Sequence, residues 1–196
     1  LAMLTYAKAC NVKILPRNPR LNFRHGGNLL PLFDKYIVIH TDDTAMPHRN
    51  VHGVDWKAVA ETLEGDGYLV VRVGQGNGTG GRKINTHNEN MLSWVIAGAK
   101  FFIGIDSGCS QIAVACGVPS VIFFGSVVPQ YRYVLDESIM VIQNPCPINK
   151  GGCYHEVLSE VGQDCAVDKE KPPCIKHSTF DVVNRIMNFI RQRTKV

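Results

Sequence analysis

The chain has 196 residues, 45% of them hydrophobic and 19% charged, which is the balance of a soluble globular protein large enough to bury a real core. Its net charge is +4 from cations scattered along the chain. That suits a phosphate-bearing ligand or an anionic membrane surface and argues against a nucleic-acid-binding stripe. Seven cysteines, an odd number with no secretory leader in front of them, point to a reducing compartment.

In chain order, Leu1–Cys10 reads as a helix and Pro16–Pro31 as a polar connector carried over from a preceding domain, so the chain is expected to be a piece of something longer. Tyr36-Ile-Val-Ile-His40 is a short apolar run suited to a fully buried strand. Asp55 is placed to cap a helix bearing Trp56, Val59, Ala60 and Leu63 on one face, ended by Gly65 and Gly67. Tyr68–Val73 is the second strand, and the glycine-rich stretch Gly74–Gly81 after it reads as a flexible surface loop. Ile84–Thr86 is a short third strand, and Met91, Leu92, Val95, Ile96 and Ala99 mark one face of a helix. Phe101–Ile105 and Val121–Phe124 are the fourth and fifth strands, with Met140–Ile142 at the edge. A closing helix, Thr179–Arg193, has Ser178 as its cap and Phe180, Val183, Met187 and Ile190 directed inward.

Strands alternating with helices give an α/β fold, a doubly wound parallel sheet of Rossmann-like type. The expected strand order is 3-2-1-4-5. Residues 1–34 are expected to form a connector, 35–143 the Rossmann-like domain, and 144–196 a cysteine-containing loop and closing helix packed on it. Ser107–Tyr131 carries no formal charge, but its glycines and prolines suit a buried α/β core and not a membrane span. The chain is expected in the cytoplasm, with the inner face of the membrane as a peripheral location.

In this topology ligands bind where the winding reverses, between the first and fourth strands, beyond their carboxyl ends. Two polar, hydroxyl-rich loops converge there: His40-Thr41-Asp42-Asp43-Thr44 and Asp106-Ser107-Gly108-Cys109-Ser110. The second opens a helix, whose free N–H groups and dipole favour an anion. In the bland alternative Asp106 merely caps that helix, but its place at the reversal favours a ligand. Asp42 and Asp43, being adjacent in an extended loop, read as surface turn residues, His48 and His52 as solvent-facing, and Trp56 as core. The glycine-rich stretch fails as a dinucleotide fingerprint, because Thr79 stands at the third glycine. It also fails as a phosphate loop, where Arg82-Lys83 replaces Lys-Ser/Thr.

His40-Thr41, Trp56, Gly74, Asp106-Ser107-Gly108, the Ala113/Ala115 helix, Gly117-Val-Pro119 and Phe124-Gly125, in that order, resemble the carboxyl-terminal half of the lipopolysaccharide heptosyltransferases, which are GT-B glycosyltransferases. The resemblance spans about half the chain, from Tyr36 to about Arg132. It implies the donor-binding half of a transferase acting on a nucleoside-diphosphate sugar such as ADP-heptose. Thr41, Ser107, Gly108, Cys109 and Ser110 would surround the diphosphate, Asp106 would address the sugar, Gln111 would be a further donor-binding residue, and Arg49 (or His48) would be an auxiliary phosphate contact. No metal or other cofactor is implied for catalysis. The general base and the site for a glycan or lipid-linked acceptor belong to an amino-terminal domain. Gln111 stands where the family has a histidine and cannot titrate. The alternatives are a non-catalytic nucleotide-sugar or phosphate-binding module and an unrelated nucleotide enzyme.

Cys146, Cys153, Cys165 and Cys174 are separated by six, eleven and eight residues, without a Cys-x-x-Cys knuckle. Four thiolates could enclose a structural zinc or iron; disulfides and free thiols remain the other readings. The resemblance matches Cys174 to a cysteine before the family's last helix.

Overall fold

Short, wholly apolar runs build the centre of the molecule, because a strand covered on both faces has no reason to alternate. In the computed structural model, which describes residues 18, 20–21, 35–42, 47–148, 153 and 165–194, these runs form one six-stranded sheet. The strands are β1 (Tyr36–His40), β2 (Leu69–Arg72), β3 (Arg82–Lys83), β4 (Phe101–Ile105), β5 (Ser120–Phe123) and β6 (Ile139–Ile142). All pair in parallel in the order β3-β2-β1-β4-β5-β6. The expected helix Leu1–Cys10, most of the connector, and Asp43 and Thr44 lie outside the described residues.

Among the described residues four helices cover the sheet: α1 (Trp56–Gly65), α2 (Glu89–Ala97), α3 (Gly108–Ala115) and α4 (Thr179–Thr194). Successive strand residues face opposite ways, and the core divides accordingly. Ile37, Ile39, Phe101 and Ile103 pack with Trp56 and Leu63 of α1 and Val182 and Ile186 of α4. Val38, Val71 and Phe102 pack with Val95 and Ile96 of α2 and Ala113 of α3. Helices on both faces make the sheet doubly wound, as the sequence implies. Asp55 caps α1 by accepting from the Lys57 and Ala58 amides at 2.9 and 3.3 Å. Ser178 accepts from the Asp181 amide at 3.2 Å.

β2, β5 and β6 match their expected runs to within one residue at either end, whereas the third strand and Phe180 differ from expectation. β3 is Arg82–Lys83 and not Ile84–Thr86, since the parallel ladder with β2 ends at Arg72–Lys83. Ile84 still donates its amide to Arg72 O at 2.9 Å and packs on the α2–α3 side of the core. Phe180 is 77% exposed, not inward. The α1–α4 contact involves Val59, Thr62 and Leu63 against Val183, Ile186 and Met187, and Phe180 lies a turn short of it.

His177 is buried against Phe123, edge to face at 5.6 Å, and neither ring nitrogen is hydrogen-bonded to a described residue. Burial, helped by Arg185, lowers its pKa from 6.5 to about 4. The folded state therefore favours the neutral ring, while the unfolded chain takes up a proton near 6.5. The stability this confers is complete above 6.5 and is lost as pH falls towards 4. It amounts to something on the order of 3 kcal/mol. Urea denaturation of His177→Phe is expected to show a flatter stability profile between pH 6.5 and 4 than the parent; an unchanged slope would refute it.

Candidate functional site

The strand order reverses between β1 and β4, whose carboxyl ends lie side by side, His40 opposite Gly104. A contact joins the two loops that leave them: Ser107 Oγ lies 3.2 Å from His40 Nδ1. Burial lowers the His40 pKa, with the Asp42 charge opposing, so the ring is held neutral at pH 7 and can accept from the serine.

Ser107 is the N-cap of α3, in extended conformation. Ser110 turns back on it, accepting from the Ser107 amide at 2.9 Å and donating to the Ser107 carbonyl at 2.7 Å. With that proton spent, the Ser110–Tyr133 contact of 3.0 Å has Tyr133 as donor. Ser110 is fully buried, so its hydroxyl braces the helix and does not face a ligand, contrary to the expectation for its side chain. Cys109 departs in the same way: its thiol packs in the core with Tyr36 and Val38, and burial pushes its pKa up to about 11. Gly108 is different. A Cβ there would meet nothing within 4 Å, so the approach to the first turn of α3 is open. Gln111 is exposed on the next turn.

Asp106 follows β4 and is 4% exposed, yet neither carboxylate oxygen accepts a hydrogen bond from a described residue. Burial raises its pKa, and Arg132 and Arg49 oppose the shift. Arg49 Nη2 donates to the Asp106 backbone carbonyl and lies 3.9 Å from Oδ2; Arg132 Nε lies 3.5 Å from the same oxygen. Arg49 thus reaches the α3 loop, from a 3-10 turn at Pro47–Arg49. Arg132 was not foreseen, being a loop residue with no motif around it.

Thr41 is buried, and its hydroxyl donates to the Thr79 carbonyl at 3.2 Å. Asp42 is not a surface turn residue but 7% exposed. Its Oδ2 accepts from the Gly76 amide at 2.6 Å and its Oδ1 from Gly78 at 3.2 Å, with Arg72 Nη1 3.7 Å from Oδ1. The glycine-rich stretch is therefore strapped across the β1 loop instead of running loose over the surface. Gly74 has φ +121°, and a Cβ on it would come within 2.1 Å of Asp42 Oδ2. His48 and His52 are half-buried and not solvent-facing: the His48 carbonyl abuts Gly125, and His52 bridges to Lys176. Trp56 is core, edge to face with Phe123 at 5.4 Å.

Cys174 is buried, and its thiol is pushed up to about 12, first by burial and then by the charges of Cys153, Cys165 and Cys146. Among the described residues, however, no three His, Cys, Asp or Glu side chains are grouped tightly enough to hold an ion, and the described cysteines form no disulfide. No helix among the described residues is long and apolar enough to cross a membrane.

No family model matches the sequence, and no curated protein matches it. Solved structures do. The dodecameric iron-containing heptosyltransferase TibC, in complex with ADP-D-beta-D-heptose, aligns over 94% of this chain and 50% of its own, with TM-score 0.65 and 20% identity; TibC is from enterotoxigenic E. coli. The E. coli ADP-heptose lipopolysaccharide heptosyltransferase II aligns over 92% of this chain and 56% of its own, with TM-score 0.61 and 17% identity. E. coli heptosyltransferase WaaC with ADP aligns over 95% and 53%, with TM-score 0.60 and 14% identity. The fold is that of the heptosyltransferases. The chain spans about half the length of the solved structures it matches.

Proposed function

We propose that this chain is the donor-binding half of a glycosyltransferase and takes a nucleoside-diphosphate sugar, with ADP-heptose the first candidate. The observation that carries the reading is the His40–Ser107 junction, which sets the Thr41 loop beside the open amino end of α3. Backbone N–H groups of Gly108 and Cys109 and the guanidinium of Arg49 are the donors for a diphosphate. Glycosyl transfer builds negative charge on that leaving group, and donors fixed beforehand lower the barrier. Asp106, beside that end of the helix, addresses the sugar in this reading. TibC and WaaC are bound to ADP-heptose and ADP in their own structures, which supports the nucleotide. The acceptor, a glycan or lipid-linked sugar, and the general base belong to an amino-terminal domain in this reading.

Calorimetric titration of the full-length protein with ADP, UDP, GDP and their sugars is the test. Preference for one diphosphate, tighter for its sugar, is expected; no binding of any of them would refute it. Measuring transfer then separates an enzyme from a binding module that has lost chemistry, the alternative raised by Gln111.

The same reading assigns Cys146, Cys153, Cys165 and Cys174 to a structural metal. Four cysteines are the number a tetrahedral zinc or iron site takes, and TibC is described as iron-containing. The ion would tie the segment before α4 to the body of the domain. Elemental analysis of the purified protein is expected to give about one ion per chain, lost with a chelator together with thermal stability. A metal-free protein with unchanged melting would exclude it.

A further inference from the structure

Around Asp106 the charges do not balance. Two guanidinium groups, from Arg49 and Arg132, face one carboxylate oxygen at 3.9 and 3.5 Å, distances of ion pairing and not of hydrogen bonding. They come from separate elements: Arg49 from the turn after β1, and Arg132 from the end of the 3-10 turn Pro129–Tyr131 after β5. Arg49 Nε is itself buried without a hydrogen bond to a described residue. Two cations against one carboxylate leave a net positive charge whether Asp106 is ionised or protonated, and the amino end of α3 adds to it. The arginine side chains are 28% and 37% exposed, so a dissolved anion can reach both.

We propose that Arg49 and Arg132 are two arms of a clamp for a diphosphate, held on Asp106 until the anion arrives, and that Asp106 tunes affinity by competing for them. The inference rests on the donor-site reading only in attaching that diphosphate to a nucleotide. Each guanidinium is a planar fork matched to two phosphate oxygens. Two forks therefore suit two phosphoryl groups, and a monophosphate engages only one arm. Arg132 has an independent anchor, because its neighbour Tyr133 donates to Ser110 inside α3. Removing the arginine side chain thus leaves its turn attached.

The test is calorimetric titration of the full-length protein and its variants with inorganic pyrophosphate, ADP and AMP, with melting temperatures recorded for each variant. Arg132→Ala is expected to weaken pyrophosphate and ADP by about tenfold or more and AMP by less than about threefold. Arg132→Lys keeps the charge without the fork and should recover part of the loss. Asp106→Asn removes the competitor and should tighten pyrophosphate by about threefold or more. Arg191→Ala, an exposed arginine in the last turn of α4, should stay within about twofold of the parent. A well-folded Arg132→Ala that binds pyrophosphate like the parent overturns the clamp, as does an Asp106→Asn that binds it more weakly. A parent that binds pyrophosphate but no nucleotide defeats the donor reading and leaves the clamp standing. A parent that binds ADP with no effect of Arg132→Ala does the reverse, and one that binds neither pyrophosphate nor ADP overturns the clamp.

Discussion

Ser107→Asp should leave the protein at least as stable as the parent while its affinity for a diphosphate falls by roughly three orders of magnitude. The two effects share one cause. Ser107 is the N-cap of α3 in extended backbone, a position where Asp serves as well as Ser. A carboxylate there also faces the positive end of the helix, which adds about 0.3–1 kcal/mol of stability. The same charge would stand where the anion must sit, beside the buried Asp106. At about 4 Å, two like charges near a protein surface repel by about 4 kcal/mol. Paired thermal melts and titrations check this. A variant that binds like the parent would remove the site from the end of α3, and one that merely unfolds would show that Ser107 is needed for its bond to His40.

Gly125→Ala should be the most disruptive single-methyl change in the molecule. A Cβ on Gly125 would lie 1.7 Å from the His48 carbonyl oxygen and 2.9 Å from its carbon, both backbone atoms that no rotamer change can move. The turn bearing Arg49 crosses the end of β5 at this point, and Gln143 Nε2 donates to the Gly125 carbonyl at 2.5 Å from the other strand edge. Relief requires the whole turn to lift, which would also withdraw Arg49 from Asp106. The expected cost is about 3 kcal/mol, or a fall in Tm of roughly 6–12 °C. Gly108→Ala is the matched control: its methyl meets no atom within 4 Å, so melting should be unchanged or slightly raised. If Gly125→Ala melts like the parent, the close crossing of the turn over β5 is wrong.

The parts of this molecule that were legible in the sequence are those governed by local pattern. Apolar runs at 36–40, 101–105 and 121–124 gave the central strands, because burial on both faces leaves no alternation to misread. Their order then followed from the parallel connections, and with it the meeting of the loops after β1 and β4. What was missed depends on partners remote in the chain. Asp42 looked like a turn residue because its partners, the Gly76 and Gly78 amides, are 34 and 36 residues away. The spaced glycines facing it were the available signal, since a side chain on any of them would strike that carboxylate or Thr41. Arg132 had no signal at all; only coordinates bring it to Asp106. Phe180 was misjudged because helical spacing reports a face, whereas burial also depends on where along the helix its neighbour begins.

The bond between Thr41 and Thr79 couples two events that look separate. A hydroxyl has one proton to give, and Thr41 gives it to the carbonyl of the glycine strap. An incoming oxyanion can win that proton only by evicting Thr79. If the donor site lies here as proposed, its occupancy and the posture of residues 74–81 are one equilibrium, in which the protein's own backbone is the first competitor.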